Sequence, residues 1–134
     1  MIFINKSLFI VILCSIFIPI IAFQDSKMQD AIVTSFENGN SKTLSGFFNQ
    51  NVELVIPQNK NIYSKAQAQQ IMAKFFSENT PDSFQILSNT IEDDAKNIIG
   101  LLITKKASFR VYIVLKNANG KDFIHLLKIE KRQN

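Results

Sequence analysis

The stretch Ser108–Glu130, SFRVYIVLKNANGKDFIHLLKIE, decides the fold. Hydrophobic residues recur at every second position on both sides of Asn119-Gly120, and a period of two belongs to strands whose side chains alternate between faces. Asn and Gly tolerate positive φ, so the dipeptide closes a two-residue hairpin loop. That loop sets Ala118 opposite Lys121 and Leu115 opposite Ile124. One face then carries Phe109, Val111, Ile113, Leu115, Ile124 and Leu126, with Lys128 and Glu130 beyond them, and is assigned to the core. The other carries Arg110, Tyr112, Val114, Lys116, Phe123, His125, Leu127 and Ile129 and is mixed, with His125 opposite Val114.

Working outward, SFQILSNTIE and NIIGLLITK precede the hairpin as two further β-rich segments, separated by Asp93–Lys96 and bounded by Lys105–Ala107. Before them, KAQAQQIMAKFF changes the period to that of a helix. Ala68, Ile71, Met72, Phe75 and Phe76 form one stripe, Ser64 with Gln67 reads as a capping box, and Asn79 and Pro81 stop the run. VELVIP alternates as a strand, with Val52, Leu54 and Ile56 on one side; Pro57 ends it and Ile62-Tyr63 makes a brief return strand. Earlier still, SKMQDAIVTSFENGN reads as a helix opened by Ser26 and Gln29, striped by Met28, Ile32, Val33 and Phe36, and closed by Gly39. A second short helix, capped by Ser41, would carry Leu44, Phe47 and Phe48.

The order is helix, helix, strand, short strand, helix and four strands. Strands joined by short turns pair antiparallel, and helices with single apolar stripes need a sheet face to cover, so the class is α+β. The first residues stand apart from this plan. Eight of the twenty isoleucines fall within the first 21 positions, and Lys6 is followed by an apolar run from Leu8 to Ala22. That is the layout of a signal peptide. The run contains Pro19 and falls short of the roughly 20 residues that a spanning helix needs. Cleavage is expected after Ala22, leaving a single domain, 23–134, exported to the periplasm or beyond, with no integral membrane segment. Cys14 is mid-run and preceded by bulky Leu13, which speaks against a lipid anchor.

Removing the leader leaves 14 basic and 11 acidic residues, with Arg110 and Arg132 the only arginines, which gives no nucleic-acid face. It also leaves no cysteine and one histidine, so neither a disulfide nor a zinc site is expected, and no cofactor is implied. Glu92, Asp93 and Asp94 lack the alternating oxygen ligands and glycine of a calcium loop and read as a solvated turn.

The order of elements is similar to the nuclear transport factor 2-like, or cystatin-like, fold. More narrowly, SFENGNSKTLSGFFNQNVEL, NIYSKAQAQQIMAKFF and SFRVYIVLKNANGKDFIHLLKIE resemble an exported bacterial family, domain of unknown function 4783. The resemblance covers most of residues 26–131. It implies a cone-shaped α+β fold, a curved antiparallel sheet wrapped around N-terminal helices, and transfers no functional residue.

Candidate ligand-binding residues are Arg110, Tyr112, His125, Phe47, Phe76 and Tyr63. A cation, a phenol and an imidazole on one mixed face can orient an anionic or carbonyl ligand. The same side chains also serve to cover apolar neighbours or to meet a partner subunit. The doublets Phe47-Phe48 and Phe75-Phe76, placed on helices, would point about 100° apart, one ring toward the core and one toward a cavity. Three functional readings are open: a module binding a small apolar or amphipathic ligand in the cone; an interaction or homodimerisation module using the mixed sheet face; and, as the resemblance to this superfold implies, an isomerase- or dehydratase-type enzyme using His125 as base and Tyr112 as donor.

Overall fold

The computed structural model describes residues 18–133. Most of the expected leader, Cys14 included, lies outside the described residues. Helix α1 spans Ile18–Glu37, α2 Ser41–Ser45, β1 Phe48–Ile56, β2 Asn59–Ser64, α3 Lys65–Glu78, β3 Pro81–Glu92, β4 Ala95–Thr104, β5 Ser108–Ala118 and β6 Lys121–Lys131. A compact unit begins at Ile32, within α1, and the description below concerns that unit. No described helix is long and apolar enough to cross a membrane.

Local signals end and start the elements as their chemistry requires. Helix α1 runs through Ser26, so Ser26 is an internal residue instead of a cap. Its C-terminus closes at Gly39, which has φ +60°, while Asn40 N donates to Ser35 O at 2.8 Å and Gly39 N to Phe36 O at 3.2 Å. These are the two bonds of a Schellman cap. Asn40, one residue before the expected Ser41, caps α2 by accepting from Thr43 N at 3.0 Å. That helix is a single turn, and Phe48 opens β1, so neither Phe47 nor Phe48 lies on a helix and the 100° argument does not apply to them. Ser64 and Gln67 form the capping box of α3. Asn119-Gly120 has φ +55° and +81°, the two-residue turn expected between β5 and β6, and Asp93-Asp94 makes the same kind of turn between β3 and β4 with φ +48° and +61°.

The six strands form one sheet in the order β2-β1-β6-β5-β4-β3. All neighbours are antiparallel except β1 and β6, which are parallel. Turn chemistry reports only hairpins, and this pairing joins strands separated by most of the domain. It brings the first and last strands together inside the sheet and leaves β2 and β3 as edges.

One face of the sheet is the core face. Ile32 and Phe36 of α1 and Ala68, Met72, Phe75 and Phe76 of α3 are buried, together with Val52, Leu54, Phe84, Leu102, Val111 and Ile113 of the sheet. Aromatic rings form its centre: Phe36 stacks on Phe84 at 4.6 Å, Phe76 meets Phe36 edge-on at 5.8 Å, and Phe75 meets Phe109 edge-on at 5.3 Å. Gly100 is fixed by this cluster, because a Cβ there would run into the Phe84 ring. At the β5–β6 loop, Lys96 Nζ donates to Asp122 Oδ2 at 2.8 Å and Asn117 Nδ2 to Asp122 Oδ1 at 3.2 Å. These bonds, the Lys96 one foremost, hold the Asp122 carboxyl below its ordinary range.

The β5–β6 register departs from the sequence expectation at one point, with wide consequences. Leu115 does face Ile124, but Val114 then faces Leu126, not His125, and Tyr112 faces Lys128. His125 is the extra residue of a β-bulge. Beyond it the faces of β6 are exchanged: Leu127 and Ile129 are buried, whereas Leu126, expected in the core, is half-buried on the outer face. The physical reason is charge. An unbulged strand would send Lys128 and Glu130 into the core face, and ions are costly there without partners; the bulge places them outside, where they pair at 2.9 Å.

Candidate functional site

At one end of the sheet, the β1–β2 hairpin, helix α3, the β4–β5 turn and the last residue of β6 enclose a pocket of about 850 Å³. Its apolar lining comes from Ile56, Pro57, Ile71, Phe75, Ala107 and Phe109, of which the rings of Phe75 and Phe109 are buried, and Tyr63 joins them. Amides of Gln58, Asn59, Gln67, Gln70 and Asn79 and the charges of Lys74, Glu78, Lys106 and Lys131 complete the lining.

Each wall has a local cause. On α3, Gln67, Ile71, Lys74 and Glu78 lie three or four residues apart and so share one helix flank, beside the core stripe. Ile71, expected in the core, is half-buried because it stands on that flank. The Phe75-Phe76 doublet divides as adjacent helix positions must: Phe76 packs in the core against Phe36, while Phe75 contacts Phe109 and reaches the pocket. Buried Thr104 fixes the β4–β5 turn. Its Oγ1 donates to Ala107 O at 2.9 Å and accepts from the amides of Lys106 and Ala107 at 3.3 and 3.1 Å. From the other side, Lys105 N donates to Thr80 O at 3.2 Å.

The sequence-derived candidates divide between two places. Tyr63 lines the pocket, as the partner of Val52 across the β1–β2 hairpin. Phe76 is in the core, and Phe47 is half-buried in the connection to β1. Arg110, Tyr112 and His125 lie away from the pocket lining. Arg110 and Tyr112 share the outer face of β5, opposite Glu130 and Lys128 of β6, and Lys128 Nζ stands 5.6 Å from the centre of the Tyr112 ring. His125 sits in the bulge. Its Nε2 is buried without a hydrogen-bond partner among the described residues. Phe75, Phe109, Lys106 and Lys131 were not foreseen as pocket residues, and only the helical flank of Phe75 carried a signal in the sequence.

Burial pushes the His125 imidazole below its ordinary pKa of 6.5, and the charge of Lys116 adds to the effect. The folded chain therefore favours neutral His125. As pH falls below 6.5 the unfolded chain takes up this proton first, so stability is full above that pH and is lost as pH falls toward the folded-state value. His125→Gln is expected to flatten the profile between pH 7.5 and 5 in urea denaturation, whereas an unchanged slope would show that His125 is no more protected than in the unfolded chain.

A curved six-stranded sheet with helices packed on one face has the nuclear transport factor 2-like fold, and here it carries a pocket at one end. The chain belongs to the family described as Domain of unknown function (DUF4783), which it matches over residues 29–130. It is similar to the crystal structure of a family member from Bacteroides ovatus, with 29% identity, a TM-score of 0.73, and 78% of this chain and 94% of that one covered. It is equally similar to a member from Bacteroides uniformis, at 28% identity and a TM-score of 0.74, covering 78% and 97%. An NTF2-like protein of unknown function from Silicibacter pomeroyi shares the fold alone, at 13% identity and a TM-score of 0.58 over 80% of this chain and 92% of that one. No curated protein matches the chain.

Proposed function

We propose that the domain is an exported, non-catalytic module that binds one small apolar or amphipathic molecule in the pocket beside α3. The observation that carries this reading is the pocket itself: about 850 Å³ with an aromatic and aliphatic floor and a polar rim, within the range of small-molecule sites. The enzyme reading needs an acid–base pair at a cavity, and His125 and Tyr112, its proposed pair, stand off this lining.

Ile71 offers a direct test, because a larger side chain there fills the cavity without entering the main core. Ile71→Trp is expected to abolish chemical-shift changes that dodecanol induces around Phe75, Phe109 and Tyr63 while leaving the rest of the amide spectrum in place. Equal changes in both proteins would remove the pocket as the binding site. Export is tested by intact mass: the proposal requires that Met1–Ala22 be absent from the secreted chain.

A second reading is association through the outer sheet face. Ile103 is 41% exposed there, and Leu101, Ile99, Tyr112, Val114 and Leu126 lie half-buried beside it on adjacent strands. Such contiguous apolar surface is uncommon on a monomer. Sedimentation should then show a dimer that Leu101→Glu dissociates.

A further inference from the structure

We infer that the pocket selects anionic amphiphiles, with Lys106 and Lys131 holding the negative head group and the aromatic floor taking the chain. This rests on the pocket-binding reading and adds the chemical class of the ligand.

Lys131 carries the argument furthest. Along β6 the core-facing row beyond the bulge is Leu127, Ile129 and then Lys131, and Lys131 pairs across the strands with the buried Phe109. Lys131 thus ends the apolar row of β6 and lines the cavity beside Phe109, the ring that Phe75 touches. Without the bulge at His125, Lys131 would belong to the outer face. Lys106 comes from the β4–β5 turn beside the end of β6, where Arg132 N donates to Ser108 O at 2.9 Å and the turn backbone is held by Thr104 and by Thr80 O.

The charges of the lining do not cancel. Lys74, Lys106 and Lys131 stand against the single carboxylate of Glu78. Glu78 lies 4.0 Å from Lys74 on the same helix. Lys106 and Lys131 form no ion pair with any described residue. Two cations without an ion-pair partner among the described residues, beside an apolar lining, attract a molecule with an anion at one end and a hydrocarbon at the other. Both lysines are exposed, so the attraction has the modest size of solvent-screened ion pairs.

Calorimetric titration of the purified chain with dodecanoate and dodecanol, which share a chain length and differ in head group, tests the assignment. Dodecanoate is expected to bind about tenfold more tightly, the scale set by two partly exposed ion pairs, and the margin should shrink as salt is raised. In the Lys106→Gln/Lys131→Gln variant the two probes should bind alike, while Lys42→Gln/Lys121→Gln, which removes the same charge elsewhere, should keep the margin. Equal affinities in the unaltered chain would overturn anion selection and leave pocket binding standing. A margin that persists in the Lys106/Lys131 variant would overturn the assignment to these lysines. Binding of neither probe would remove the pocket reading itself. Co-sedimentation with phosphatidylglycerol vesicles separates the sources of the anion: capture of dodecanoate without co-sedimentation assigns a free amphiphile, and co-sedimentation without capture of dodecanoate overturns the inference in favour of a membrane surface.

Discussion

Phe75→Ala is expected to lower the stability of the domain by about 3–5 kcal/mol, the range for deleting a buried phenylalanine. Phe75 is 5% exposed and meets Phe76 and Phe109 edge-on at 5.8 and 5.3 Å. Its removal takes away the contact that joins α3 to the beginning of β5, and the cavity left behind opens into the pocket, where solvent reaches it. That opening favours the lower half of the range. Urea denaturation followed by circular dichroism measures it, and an unchanged midpoint would show that α3 does not pack through this ring.

The second large effect distinguishes neighbouring leucines. Leu127→Ala should cost about 2–5 kcal/mol because Leu127 is fully buried. Leu126→Ala, on the half-buried outer face, should cost well under half as much. An unbulged hairpin predicts the reverse order. The pair of midpoints therefore reads the bulge at His125 directly, and with it the side of the sheet on which Lys131 emerges.

What the sequence discloses here is governed by the range of each signal. Gly39, the Ser64-Gln67 box and Asn119-Gly120 act through their own backbone within a few residues, and each forms the predicted stop, cap or turn. The α+β class follows from the change of period after Pro81, and the nuclear transport factor 2-like fold from the order of elements. The β6 register is different. It is correct for the residues nearest the turn, then shifts at His125 because the core cannot accept Lys128 and Glu130, a condition that appears only once the helices cover that face. The Leu126-Leu127 doublet, which breaks the strict alternation, and the charges of Lys128 and Glu130 on the core-assigned face are its traces in the sequence.

The parallel contact of β1 with β6 lies beyond any local rule, since no turn connects the two strands. The pocket depends on both non-local features. The β1–β2 hairpin reaches it because β1 is seated beside β6, and Lys131 reaches it because of the bulge. Of the sequence candidates, Tyr63 lines that pocket, whereas Arg110, Tyr112 and His125 were grouped by an alternation that holds along β5 and fails along β6 past Ile124.

Native mass spectrometry of the chain purified from the cells that produce it decides whether the pocket holds a ligand. A non-covalent adduct of small-molecule mass is expected on the unaltered protein, released by mild activation and missing from Ile71→Trp produced in the same cells. A chain that emerges ligand-free, or an adduct that Ile71→Trp retains in full, would contradict ligand binding in the pocket.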